Sequence, residues 1–110
     1  MMQYKEATHY EINKAVAKHL KVNTIAYDRT EIVLFDDMDA TPFDPCNNPA
    51  DAMPIVIENR ISIESRFNGH YDEWYASRQL NKIHIDATGT NYYRTAMEVF
   101  LMMKEAENES

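Results

Sequence analysis

The sequence predicts a single-domain α+β fold: a layered sandwich in the order α-β-β-α-β-β-α, with a four-stranded, mainly antiparallel sheet packed by helices. Three observations carry this reading. Two long segments repeat apolar residues at steps of three and four, the period of a helix with one buried face. Four shorter segments alternate or run apolar, as strands do. The connectors are mostly short, which favours antiparallel neighbours over long parallel crossovers. A length of 110 residues is close to the commonest domain size. Folding at that size removes roughly two thirds of the unfolded chain's surface from water, enough for one core without staples.

The first helix spans residues 8–20. Thr8 and Glu11 have the spacing of a capping box. Ile12, Val16 and Leu20, with Ala15 beside them, make the apolar stripe, and Glu11, Asn13, Lys14 and Lys18 fall on the polar side. Two strands follow, "VNTIAY" at 22–27 and "EIVLF" at 31–35, joined by the turn-sized "DRT". "IVLF" is apolar on both alternating faces, which predicts a central strand covered on both sides. Residues 36–48, "DDMDATPFDPCNN", have no period and read as a long loop.

Asn48 caps the next helix, Pro49 suits its first position, and the carboxylate of Asp51 suits the positive end. Pro54 lacks the N–H that would reach Ala50, which predicts a kink or a division there. Residues 60–67, "RISIESRF", alternate, with Ile61, Ile63 and Phe67 on one side. "NG" at 68 and 69 favours a type I′ turn. "HYDEWYAS" either continues that hairpin or forms a loop. "KIHIDA" at 82–87 is the fourth strand, with Ile83 and Ile85 inward. Thr90 caps the final helix, 91–106, whose stripe of Tyr93, Ala96, Met97, Phe100, Leu101 and Met103 makes it the most apolar and the central helix. Residues 106–110 read as a frayed tail.

Eleven Lys and Arg against eighteen Asp and Glu leave a net charge of −7. Such a chain repels a phosphate backbone, so general nucleic-acid binding is disfavoured; Lys14, Lys18 and Lys21 are the best residues for any local basic patch. One cysteine makes no internal disulfide and suits a reducing compartment. The start has no apolar core of the signal-peptide kind, and the longest apolar run, "VFLMM", is too short to span a bilayer.

The densest chemistry lies in "FDPCNNPADAMPIVIEN", residues 43–59. A thiol near a helix start is a candidate nucleophile, with Asp44 beside Cys46, but no histidine lies near it in sequence and most lone cysteines are inert. Asp36, Asp37, Asp39 and Asp44 fail the calcium-loop pattern, because the required glycine is missing and Pro42 and Phe43 interrupt the run. The four histidines show no paired metal spacing. "TGTNYYR" is the best small-ligand feature: free N–H groups at a helix start attract anions, Gly89 permits close approach, and Arg94 adds a cation, although an ordinary helix cap explains it as well. Tyr71, Trp74 and Tyr75 make an aromatic cluster, read as satellite core before binding face. The candidate ligand-binding residues are therefore Asp44, Cys46, Asn47, Thr90, Asn91 and Arg94, with no catalytic residue, metal or cofactor assigned.

"EINKAVAKHL", "FDPCNNPADAMPIVIEN" and "RTAMEVFLMMKE" together resemble the NinX proteins of lambda-like phages and prophages. A looser likeness connects the chain to phage domains described as α-β-α sandwiches. The resemblance implies a phage or prophage accessory protein made in the host cytoplasm, and it carries over no catalytic residue. The leading expectation is a non-enzymatic factor that binds a host or phage protein, with no membrane association. The alternative is binding or sequestering of a small, nucleotide-like molecule, as in counter-defence. A second alternative is an enzyme using Asp44 and Cys46.

Overall fold

A computed structural model describes residues 4–108 of the chain. A 3-10 turn, Tyr4–Glu6, leads into α1 (His9–Leu20), β1 (Thr24–Tyr27), β2 (Ile32–Phe35), α2 (Pro49–Glu58), β3 (Ser62–Phe67), β4 (Asp72–Leu80), β5 (Ile83–Gly89) and α3 (Tyr92–Asn108). The α+β class stands. The expected single four-stranded sheet does not: five strands form two antiparallel sheets, β1-β2 and β3-β4-β5.

The cause is the segment after β2. Phe43 N donates to Val33 O at 2.8 Å and Phe35 N to Thr41 O at 2.9 Å, while Leu34 bridges Pro42. That segment occupies the edge of β2 where another strand would have paired. β2 is therefore not a central strand covered on both faces. Directly opposed residues share a face, so the register Ile25↔Leu34 and Tyr27↔Ile32 puts these four on one side of the hairpin. Val33 and Phe35 lie on the other, where Val33 is buried and the Phe35 ring meets that of Phe43 edge-on at 5.5 Å. The outer face stays uncovered: Ile25, Tyr27 and Ile32 are 41%, 45% and 43% exposed.

The fifth strand is β4, in the stretch left between hairpin and loop. Its register, Ile63↔Ala76↔Ala87, lines the packed face of the sheet. Trp74 shares that face and meets Tyr92 of α3 edge-on at 4.9 Å, whereas Tyr75 points to the opposite face under the Arg66 guanidinium, 3.7 Å from the ring. The expected aromatic cluster is thus divided by the alternation of a strand, and Tyr71 lies exposed beyond it. The hairpin turn also differs. Within this turn only Gly69 has a positive φ, at 101°, and Asn68 N donates to Tyr71 O. The turn residues are therefore Gly69 and His70, with glycine first as in a II′ turn, rather than the I′ pair Asn68-Gly69. Phe67 and Ile83 sit at sheet ends and are more than half exposed, so only Ile85 of the expected β5 pair is buried.

As expected, α3 is the central helix. Met97, Val99, Phe100 and Leu101 have no exposed surface, because β4 and β5 lie on this helix and α1 and α2 pack against it too. Each such side chain contributes about 1.5–3 kcal/mol by burial. The helix continues through Asn108, so 106–108 are ordered helix rather than tail; residues 109–110 lie outside the described residues. α1 has the predicted capping box, with Glu11 N donating to Thr8 Oγ1 at 3.1 Å and Thr8 N to Glu11 Oε1 at 3.0 Å. Asn48 caps α2 through Ala50 N at 3.0 Å. Pro54 does not divide α2, which runs as one helix. The only intrahelical bond lost there ends on the carbonyl of Ala50, which is exposed and within reach of water.

Candidate functional site

The 43–48 loop, the start of α1 and the start of α3 meet in one polar network. Its hub is Asn13 on α1. Nδ2 donates to Asp44 Oδ1 at 2.8 Å, and Oδ1 accepts from Cys46 N at 3.1 Å. Asp44 also receives both contacts from Asn47 Nδ2, at 3.3 and 3.2 Å, and its own N–H donates to Asp51 Oδ2 at 2.9 Å. Asn47 Oδ1 then accepts from Asn91 Nδ2 at 3.2 Å. Asn91 Oδ1 accepts from Arg94 N at 2.9 Å. The chain of contacts runs Asn13, Asp44, Asn47, Asn91, and it ties together elements far apart in sequence.

This geometry revises several expectations. Asn13 is not on the solvent side of α1 but 6% exposed beneath the loop. Asparagine is a poor helix former because its side chain competes for backbone partners, and that is the signal that could have marked it out. Thr90 is not the cap of α3. Asn91 is, since its side chain holds the N–H at the third helical position; Thr90 lies exposed on the rim of the adjoining cleft. Gly89 is required by contact rather than by conformation: a Cβ there would lie 2.6 Å from the Thr95 hydroxyl.

Arg94 is fully engaged inside the protein. Its Nε donates to Glu98 Oε2 at 3.0 Å, and Nη2 donates to Tyr4 O at 2.7 Å and Ala7 O at 2.5 Å. Nη1 lies 3.1 Å from His9 Nδ1. A guanidinium only donates, so Nδ1 accepts and the ring proton of His9 sits on Nε2. Both Arg94 and Glu98 are nearly buried, with side chains 13% and 7% exposed. The arginine therefore clamps the N-terminal segment and is not a free cation awaiting an anion.

Cys46 is sealed in the core. Its thiol faces His9 O at 3.8 Å. Burial pushes its pKa up to about 12; the nearby Arg94 opposes this, and Asp44 and Glu98 reinforce it. The helix start that favoured a thiolate is outweighed by desolvation. Because the folded value lies above the unfolded one, the thiol stabilises the fold fully below about pH 9, and that contribution is lost as pH rises from there towards 12. The wild type's stability advantage over Cys46→Ala should shrink across that interval in denaturant titrations. At pH 8, native Cys46 should react with a thiol reagent only as fast as the loop opens.

Two clefts flank the network and His9 lines both. One, of about 430 Å³, is bordered by Lys5, Thr88, Thr90 and Asn91; the other, of about 250 Å³, by Asn13, Phe43, Asp44 and Asn47. Five of the six predicted site residues thus come together, and Thr90 stands beside them. Sequence reasoning missed His9, Asn13 and Glu98. Among the described residues, no group of three or more His, Cys, Asp or Glu is placed to hold a metal ion, and no helix is long and apolar enough to cross a membrane.

A search of curated proteins finds no match to this chain. The family model described as Bacteriophage P22, NinX matches residues 3–104, a span that includes the capped α1, the 43–48 loop and most of α3. With nearly its whole length accounted for in this way, the chain belongs to the phage NinX family.

Proposed function

We propose that this chain is a non-enzymatic phage accessory protein that acts in the host cytoplasm by binding a host or phage protein. The observation that carries this reading is the uncovered outer face of the β1-β2 hairpin, where Ile25, Tyr27 and Ile32 stand together at more than two-fifths exposure. Clustered exposed apolar side chains mark contact surfaces, whereas scattered ones do not. The candidate chemistry points the same way. Asp44 borders the 250 Å³ cleft with its carboxylate engaged by Asn13 and Asn47, and Cys46 is buried and protonated, so the thiol is not presented to a substrate.

Affinity capture from host lysate, before and after phage infection, tests the proposal. The wild type should retain a protein that Ile25→Glu with Tyr27→Glu releases, the variant being confirmed as folded by circular dichroism. No retained protein under several conditions, or equal retention by the variant, would overturn it. A second reading, binding of a small nucleotide-like molecule, is favoured by the polar lining of the 430 Å³ cleft beside the Asn47–Asn91 contact. A ligand bound there must raise the melting temperature by mass action, so a nucleotide screen with no thermal shift removes this reading.

A further inference from the structure

We infer that the open edge of β1 is a docking strand for an extended acidic segment of a partner protein, which joins the hairpin as a third strand and sets alternate carboxylates against Lys14, Lys18 and Lys21. This rests on the partner-binding reading above and gives it a geometry.

The edge follows from the ladder. Asp36 N donates to Asn23 O at 2.9 Å and Glu31 N to Tyr27 O at 2.8 Å, so residues 23 and 27 direct their backbone groups towards β2. Backbone groups alternate sides along an antiparallel strand. Thr24 and Ala26 therefore turn their N–H and C=O groups outward. The far edge of β2 is already sealed by residues 41–43, but among the described residues β1 pairs with β2 alone. Thr24–Tyr27 contains no proline, no charged residue and no break in register, three of the devices that normally blunt an edge, although at four residues it is short. Two outward residues position an incoming strand but hold it weakly, so side chains must add affinity.

Those side chains are set by the groove beside the edge. It has a volume of about 410 Å³, and Thr24 and Ala26 line it from the strand while Lys14, Lys18 and Lys21 line it from α1 and its cap. Lys14 is partly satisfied by Asp28 at 3.6 Å and lies 5.0 Å from the Tyr10 ring centre. Among the described residues, Lys18 and Lys21 have no carboxylate within ion-pair distance. The negative end of α1 favours cations in its last turn, where Lys18 and the cap residue Lys21 sit, but does not reach Lys14. In a chain of net charge −7, this groove gathers three of the eleven Lys and Arg. A strand added to β1 presents its side chains alternately to two faces. One set crosses the lysine groove, and the other continues the face of Ile25 and Tyr27. The complementary partner is a segment in which acidic and apolar residues alternate, bound by strand addition. A nucleic-acid strand matches the lysines but offers no peptide ladder to the edge.

Nuclear magnetic resonance on the whole chain tests this with three probes: a peptide alternating glutamate and valine, its counterpart alternating lysine and valine, and a short single-stranded oligonucleotide. The glutamate peptide should shift the amides of Thr24 and Ala26 and slow their hydrogen exchange about tenfold at saturation. The double variant Lys18→Glu, Lys21→Glu, which alters only exposed side chains, should weaken it by about tenfold, with a loss of salt dependence. Ala26→Pro, which removes an outward N–H and no internal bond, should abolish the exchange protection of Thr24. The inference is overturned if the glutamate peptide does not bind, if the lysine peptide binds as well, if binding leaves the exchange of Thr24 and Ala26 unchanged, or if the oligonucleotide alone binds. A protein captured equally by wild type and the lysine variant would overturn the edge while sparing partner binding. Peptide docking with no captured protein would do the reverse.

Discussion

Arg94→Ala is expected to lower stability by about 3–5 kcal/mol, read from urea denaturation, and the melting temperature by roughly 10 °C or more. The magnitude comes from what is left behind. Glu98 is buried beside Arg94, 3.0 Å from its Nε, and would become a carboxylate with no compensating cation. The carbonyls of Tyr4 and Ala7 would lose their donor, as would His9 Nδ1. A buried pair contributes little relative to an apolar replacement of both members, yet removing one member is severe. The double variant Arg94→Met, Glu98→Leu should therefore recover most of the loss. Equal instability in the single and double variants would contradict this account. Hydrogen exchange in residues 4–8 should accelerate in both, because neither restores donors to those carbonyls.

Asn13→Ala is the second large effect, about 3 kcal/mol. One amide satisfies two groups of the 43–48 loop: the carboxylate of Asp44 and the buried N–H of Cys46. Alanine orphans the N–H, and a buried unpaired donor is penalised more heavily than the bond itself contributed. The loop should loosen, so thiol labelling of Cys46 in the native protein should accelerate along with the loss of stability measured by denaturation. If labelling stays at the wild-type rate while stability falls, the amide supports α1 alone and does not seat the loop.

How much of this was legible depends on whether the determining contact was local. The capping box of α1, the Asn48-Pro49 start of α2 and the apolar stripe of α3 are written within one or two turns of chain, and each formed as read. The division into two sheets depends on Thr41 and Phe43 bonding to Phe35 and Val33, inside a stretch with no period to announce it. β4 was obscured because Arg78 lies on its packed face and Tyr75 on its wet face, the reverse of the usual pattern. At the site, residue types were the guide. Asp44, Asn47, Asn91 and Arg94 drew notice as unusual polar residues, and they do meet. Their roles were not readable, since Arg94 and Cys46 look reactive until the partners that enclose them arrive from residues 4–13.

The ties between the first and last described elements set an order of assembly. Tyr4 bonds Glu105 across 101 positions, Arg94 reaches Tyr4 across 90, and Lys5 reaches Thr88 across 83. The helix at the middle of the core, α3, also follows every other described element along the chain. On the ribosome, α1 and the β1-β2 hairpin can form from neighbouring residues, but until residues 92–108 emerge their apolar sides have no central helix to cover. The core therefore closes only once α3 is available, and a growing chain exposes this hydrophobic surface until then, a stage at which chaperone engagement is expected.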